Sequence, residues 1–262
     1  MARIDVRNVS KAFGAGGHVV ALAGINVVIA DRELVTLVGA SGCGKSTLLN
    51  LIAGFEQPTS GEILVDGVPV SRPGPDRGVV FQQTALFPWL SVEDNIAFGL
   101  TLKANRHKGS PQAVTNRMLE RTGLLPVRSR RPSELSGGMR QRAAIASVLA
   151  INPSILLMDE PFGALDSLTR SIMQDFLLEI WEEERKSVLL VTHDIDEAIY
   201  LADRTVVMTA QPGRICEVID VDLPRPRRYA MHSDPRFIAL RDRVTALVRN
   251  EAIRAMSAAQ AA

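Results

Sequence analysis

The sequence predicts an α/β fold built on a mainly parallel sheet, with an antiparallel β-subdomain near its start and an inserted helical subdomain. Three observations carry this prediction. Compact apolar runs, "ELVTLVG", "SILLMD" and "SVLLVT", read as buried strands. Segments with helical spacing of apolar residues alternate with them, as parallel strands joined by crossover helices require. A glycine-rich stretch, "GASGCGKST", separates the first of these strands from the first helix.

Taken in order, "RIDVRNV" (3–9) alternates polar and apolar residues as a half-buried strand does. "HVVALAGINVVIADRE" holds short β-rich runs broken by Gly24 and Asp31, which suggests separate antiparallel strands. After the glycine loop, Leu48, Leu49, Leu51 and Ile52 fall at helical spacing, and Gly54 is placed to end that helix. Residues 91–134 are more polar and mostly helical, with a soft "NRHKGSP" loop, and the helical subdomain extends to about 150. A helix from 136 leads into "SILLMD". A second helix, about Leu168 to Lys186, is expected to share one face among Ile172, Phe176, Ile180 and Trp181. "DIDEAIYLA" is a helix and "RTVVMT" a strand. After Pro212 the chain turns irregular and rich in Arg and Pro. From about Pro235 an amphipathic helix places Phe237, Leu240, Val244 and Leu247 on one side. The domain reading is one catalytic domain over 1–230 and a tail over 231–262.

Composition narrows the function. The 262 residues carry 30 Lys plus Arg against 29 Asp plus Glu, a formal net charge of +1. A nucleic-acid binder would show a basic excess, so no nucleic-acid partner is expected. Cys43 and Cys216 suit a reducing compartment without a disulfide framework. Arg3, Asp5 and Arg7 interrupt any leader-like apolar run, and no stretch reaches the ~18 apolar residues of a membrane span. The expectation is a cytoplasmic chain whose membrane role comes through a partner.

The chemistry lies in five places. Gly39, Ala40, Ser41, Gly42, Cys43, Gly44, Lys45 and Ser46, with Thr47 after them, fit G-x-x-x-x-G-K-[ST]. Glycines let backbone N–H groups curl around phosphates, and the following helix start adds positive potential. Lys45 would bridge the β- and γ-phosphates and Ser46 would hold Mg²⁺. In "ILLMDEP", Asp159 ends the strand and can orient Mg²⁺ through its waters, and Glu160 can take a proton from an attacking water. His193 follows a buried strand, where active groups of open α/β sheets collect, and fits a γ-phosphate contact. Gln82, in "VVFQQ", could ligate Mg²⁺ and the water; spacing alone does not separate it from Gln83. Finally, "LSGGMRQR" (135–142) starts a helix with Ser136 as N-cap and Gly137 and Gly138 keeping its approach open. This second anion-ready helix start is explained by a two-fold dimer, each copy closing over its partner's nucleotide.

Together these motifs resemble the ATPase subunit of an ATP-binding-cassette (ABC) transporter. Gly39 to Thr47 matches its Walker A motif, Gln82 its Q-loop, Leu135 to Gln141 its signature and Ile155 to Glu160 its Walker B. "GALD" (163–166) matches the D-loop and Thr192–His193 the switch histidine. The resemblance implies ATP and Mg²⁺ as ligands and ATP hydrolysis as the reaction. Two ATPs would be sandwiched head to tail between copies, with the signature residues Ser136, Gly137, Gly138 and Gln141 toward the partner's nucleotide and Asp166 as a cross-dimer contact. Glu160 would be the base, His193 the γ-phosphate sensor, and Phe13 in "SKAFG" the aromatic under adenine. "PGPDRGVVFQQTALFPWLSVEDNIAFGL" and "DEPFGALD" resemble the nitrate, sulfonate and taurine uptake group; "HSDPRFIALRDRV" resembles taurine-importer ATPases. That implies transmembrane permease subunits, met near Leu86, Phe87, Pro88 and Trp89, and indirectly a periplasmic substrate-binding protein. The chain would sit peripherally on the cytoplasmic face of the inner membrane. It departs from the family at Ala40, where proline is common, and at Ser147–Val148, where Arg-Ala is usual. Arginine clusters at 128–131 and 225–228 read as solvated faces, near which anionic lipid headgroups could lie. A long-coiled-coil or tandem chromosome or translation ATPase lacks support, as does a P-loop kinase or a GTPase, since no heptad run, second cassette or "NKxD" is present.

Overall fold

The computed structural model describes residues 2–14, 19–105 and 110–260. In chain order its elements are β1 (Ile4–Phe13), β2 (Val19–Ile29), β3 (Leu34–Gly39), α1 (Lys45–Ala53), β4 (Ser60–Val65), β5 (Val68–Pro69), β6 (Arg77–Val80) and α2 (Val92–Thr101). Then follow α3 (Pro111–Arg121), α4 (Gly137–Ala150), β7 (Ile155–Asp159), α5 (Ser167–Glu184), β8 (Ser187–Val191), α6 (Ile195–Leu201), β9 (Arg204–Met208), β10 (Ile215–Asp220) and α7 (Pro235–Gln260). The chain divides into two compact units, residues 1–74 with 185–262, and residues 75–184.

In the first unit, β2-β1-β4-β5 is an antiparallel sheet. A second set runs β10-β9-β3-β8, in which β3 is parallel to both β8 and β9. Every residue of β3 and of β8 is buried, which is why both read as unbroken apolar runs. The helix α1 packs on β3 and β8, and α6 and α7 pack on β3 and β9. On α7 the inward residues Phe237 and Val244 are fully buried, so the tail helix belongs to this core rather than standing apart from it.

In the second unit, β6 pairs in parallel with β7, and α2, α3 and α4 pack on one another, with α4 also on β6. Ser91 caps α2 by accepting the Asp94 N–H at 3.0 Å. Arg121 of α3 lies 5.2 Å from the Phe176 ring of α5 and pairs with Glu183 at 3.1 Å.

Four expectations need correction. Residues 19–29 form one strand, not two: Gly24 adopts φ 64, its N–H is accepted by Ser10, and the pairing with β1 shifts register while the strand continues. Residues 215–220 are not irregular; they pair antiparallel with β9 as an edge strand. Ile172 is 58% exposed, whereas Phe176, Ile180 and Trp181 are buried as expected. Of the "NRHKGSP" loop, residues 106–109 lie outside the described residues.

The arginines of 225–228 are the fourth. Arg227 is 7% exposed and donates to the Ile199 and Tyr200 carbonyls at 3.0 and 2.9 Å. Arg225 donates to the Leu201 carbonyl at 3.0 Å and pairs with Asp203 at 2.7 Å. Three successive carbonyls at the end of α6 are thus satisfied by guanidinium groups, which also suit the negative end of the helix dipole. Replacing Arg227 by alanine strands buried carbonyls and is expected to destabilise the fold by roughly 2 kcal/mol, seen as a lower urea midpoint. Arg128, in the other cluster, is paired with Glu93 through a 2.8 Å hydrogen bond rather than left in solvent.

Candidate functional site

The first unit holds the glycine loop. It follows β3 and turns into α1 at Gly44, whose φ of 95 marks the left-handed backbone that only glycine adopts freely. No side chain caps the start of α1, so its leading N–H groups face the loop as an anion site requires. Lys45 is buried at 7% exposure, and its ammonium donates to the Gly39 and Ala40 carbonyls at 2.8 and 3.0 Å. Cys43 is fully buried, its Sγ 3.7 Å from that ammonium. Ser41, Gly42 and Ser46 are exposed on the same stretch, and Thr47 is half-buried.

His193 belongs to the same edge. Leu37 of β3 is in register with Val191 of β8, and Gly39 and His193 each stand two residues further on. Parallel pairing therefore brings the loop's first residue and an exposed imidazole to the carboxyl ends of adjacent strands, where ligands of open α/β sheets bind.

The second unit repeats this logic. Val80 of β6 is in register with Met158 of β7, and Gln82 and Glu160 each stand two residues beyond. It is Gln82 whose side-chain amide reaches the acid, donating to Glu160 Oε2 at 3.0 Å. Glu160 has φ 46, a costly conformation for a non-glycine residue of the kind that collects at functional sites. Asp159, before it, is half-buried at the strand end.

Ser136 caps α4 by accepting the Met139 N–H at 3.2 Å and stays exposed, with Gly137 and Gly138 half-buried after it. A side chain on Gly138 would come within 3.3 Å of Leu165 Cδ2. Asp166 is exposed and accepts the Thr169 N–H at 3.0 Å, which holds its carboxyl below the usual carboxylate range. Gln141 is 1% exposed, with neither amide atom hydrogen-bonded, so within one copy it faces the interior of this unit. Three residues on from Gly138, it points with Ala144 and Ile145 into the buried side of α4.

A sequence profile described as ABC transporter matches residues 22–163, from the second strand through the acidic strand end. The chain belongs to the ABC transporter family. The cassette is 50% identical over 230 residues to the nitrate import ATP-binding protein NrtD of Synechococcus elongatus, covering 86% of this chain and 83% of that protein. It is 46% identical over 246 residues to the bicarbonate transport ATP-binding protein CmpC of the same organism, covering 92% of this chain but 37% of that longer one. Among solved structures, a dimeric ATP-binding cassette in a post-hydrolysis state bound to ADP and phosphate superposes with TM-score 0.75 at 32% identity, over 84% of this chain and all of that one. The cassette is an ATP-hydrolysing enzyme of the α/β P-loop type.

Two further features complete it. Phe13 of the cassette is 39% exposed at the end of β1, so its ring is open to a ligand rather than part of the core. Lys11 Nζ lies 4.9 Å from that ring's centroid and pairs with Glu56 at 2.8 Å. In the second unit an apolar cleft of ≈ 170 Å³ is lined by Phe81, Leu86, Phe87, Phe98, Val148 and Ile151 among others. Phe87 packs against Phe98 with centroids 4.6 Å apart, and Trp89, 5.4 Å from Phe87, is 67% exposed with Pro88 beside it. The buried Asn95 amide fixes this loop, accepting the Phe87 N–H at 2.8 Å and donating to the Ser91 carbonyl at 2.9 Å.

Among the described residues no group of three His, Cys, Asp or Glu side chains is placed to hold a metal by itself. Mg²⁺ in nucleotide chemistry is held by one or two protein oxygens plus phosphates; the first unit offers the Ser46 hydroxyl and the second, separately, the Asp159 carboxylate and the Gln82 amide oxygen as oxygen donors. Among the described residues no helix is long and apolar enough to cross a membrane. Sequence reasoning passed over Met208 and Gly213, whose backbones lie against the glycine loop; the only signal was the Pro212–Gly213 pair.

Proposed function

We propose that the cassette hydrolyses ATP to drive uptake of a small anion through a membrane permease. One observation carries the coupling: Gln82 bonds Glu160, and three to five residues later Ala85 and Phe87 line the apolar cleft. A change in the acid's contacts is thereby passed within one short loop to a docking surface. An apolar recess beside an exposed tryptophan is what an inserted permease helix requires. Ser147 and Val148 both line that recess, so the departure from Arg-Ala replaces a charge with small, neutral groups where the permease would sit.

In this reading Lys45 and the loop N–H groups bind the β- and γ-phosphates, and Phe13 stacks on adenine. Ser46, Gln82 and Asp159 hold Mg²⁺, which supplies charge neutralisation at the phosphates. Glu160 takes the proton of the attacking water, and His193 senses the γ-phosphate. A second copy, head to tail, offers Ser136, Gly137 and Gly138, with Asp166 near the junction. The permease holds the cassette at the cytoplasmic face of the inner membrane, and a periplasmic binding protein delivers the cargo. The tail sequence favours taurine or another aliphatic sulfonate; the nitrate and bicarbonate relatives favour those smaller anions.

The test is ATPase activity in lipid with the permease and binding protein, adding taurine, other sulfonates, nitrate and bicarbonate separately. Stimulation by one anion identifies the cargo. Phe98→Asp, which puts a charge in the cleft, is expected to bind ATP normally yet cut anion stimulation about tenfold or more by losing the permease. Full stimulation in that variant removes the cleft as the docking surface.

A further inference from the structure

The hairpin tip between β9 and β10 is wired to the strand beneath the glycine loop. The Gly213 N–H donates to the Ala21 carbonyl at 2.9 Å, and the Ala23 N–H donates to the Gly213 carbonyl at 3.0 Å, a bridge between Gly213 and Leu22. The tip is braced from within. Thr209 N–H donates to the Arg214 carbonyl at 2.9 Å, Arg214 N–H donates to Thr209 Oγ1 at 2.9 Å, and that hydroxyl donates to the Pro212 carbonyl at 3.1 Å.

This braced tip presses on the loop. A Cβ on Gly213 would stand 2.0 Å from the Cys43 carbonyl oxygen and 2.8 Å from Met208 Cε, whereas ordinary contact begins near 3.4 Å. The φ of Gly213 lies outside the left-handed region, so the demand is for space, not for an unusual backbone. The loop's two ends rest on the same support. A Cβ on Gly39 would meet the Met208 carbonyl at 3.0 Å, and one on Gly44 would meet Leu22 Cδ2 at 2.6 Å and the Ala21 carbonyl at 2.9 Å.

The contact at Cys43 matters because a trans peptide is planar. The Cys43 carbonyl points at Gly213, so the N–H of Gly44 in the same peptide unit points away from it, to the loop's other side. Pushing the carbonyl rotates that N–H. The support also reaches Phe13: Leu22 is in register with Lys11, and Val19 with Phe13.

We propose that Gly213 is a positioning residue for nucleotide binding, the closest-packed point of a hairpin that sets the peptide planes of the phosphate loop and ties them to the strands carrying Phe13. It touches no nucleotide atom; it acts through Cys43 and Leu22. The inference rests on the assignment of residues 39–47 to the nucleotide's phosphates.

The experiment measures ATP affinity on the full chain by equilibrium titration with a fluorescent analogue, alongside the thermal midpoint without nucleotide. Gly213→Ala is expected to bind ATP about ten- to a hundredfold more weakly, the effect of overpacking a tight contact expressed at the site it supports. Its nucleotide-free midpoint is expected to fall by several degrees as well, because the 2.0 Å contact is with backbone, so affinity is read well below that midpoint. Wild-type affinity in folded Gly213→Ala, with Lys45→Ala weakened in the same assay, overturns the role of the hairpin. Wild-type affinity in Lys45→Ala overturns instead the phosphate-loop assignment, and the inference with it. Thr209→Val removes the hydroxyl's share of the brace, its bonds to Arg214 N–H and the Pro212 carbonyl, and adds no atom near Cys43, so it decides the matter where Gly213→Ala fails to fold. It is expected to weaken ATP binding several-fold, and unchanged affinity there refutes the proposal.

Discussion

Glu160→Gln is expected to bind ATP with near wild-type affinity but to lose turnover by about 10²- to 10⁴-fold, the usual worth of a positioned general base, which is the role proposed for Glu160. The substitution keeps the side chain's size and its place beside Gln82, where the two groups are 3.0 Å apart. An amide oxygen still accepts the hydrogen bond from Gln82. What it cannot do is take up a proton, so the attacking water stays neutral. The loss corresponds to about 3–5 kcal/mol in the barrier. Binding should survive because the proposed phosphate site is the loop at Gly39–Thr47, whose Lys45 and N–H groups the mutation leaves alone. With binding intact and hydrolysis blocked, ATP-closed dimers should accumulate, visible as a faster-sedimenting species in the presence of ATP. Single-turnover phosphate release measures the chemical step. Release within a few-fold of wild type would exclude Glu160 as the base and move attention to the water itself or to His193.

That pair also shows what the sequence could and could not reveal. The glycine loop, the acidic strand end and the capped helix at Ser136 were legible because each is local. Their residue types and spacing determine the backbone that displays them. The choice between Gln82 and Gln83 was not local. It depends on β6 lying in register with β7, so that the second residue past Val80 meets the second past Met158. The same limit hid β10. "ICEVID" has weak alternation, and its pairing with β9 depends on a hairpin whose tip is fixed by β2, far earlier in the chain. The arginines of 225–228 misled for a related reason. Composition assigns an Arg-rich run to solvent, and only the fold brings it against the open end of α6, where the carbonyls of Ile199, Tyr200 and Leu201 need donors. Gln141 was assigned outward by motif membership alone. Within one copy, helical phase turns it inward, away from the exposed Ser136.

Lys45→Ala should weaken ATP binding about ten- to a hundredfold, since hydrogen bonds to charged partners contribute roughly 1.5–3 kcal/mol each. The nucleotide-free protein should not lose stability as it would in an ordinary core truncation. Lys45 is 7% exposed, and its ammonium donates to carbonyl oxygens of its own loop at 2.8 and 3.0 Å and lies 3.7 Å from Cys43 Sγ, all neutral groups. Burying a cation against neutral acceptors is costly, and deleting the charge removes that cost together with the two hydrogen bonds. The two effects offset, so the midpoint without ATP should change little. The decisive quantity is the stabilisation that ATP adds. A ligand at a hundred times its dissociation constant stabilises the folded state by about 2.7 kcal/mol, and a hundredfold loss of affinity at that concentration reduces this to about 0.4 kcal/mol. A thermal scan with and without ATP therefore separates the two roles of one side chain. A midpoint that falls without ATP, joined to an undiminished ATP shift, would make Lys45 a brace of the loop and not a phosphate ligand. An unchanged midpoint with the ATP shift lost would make it the charge the loop holds ready for phosphate.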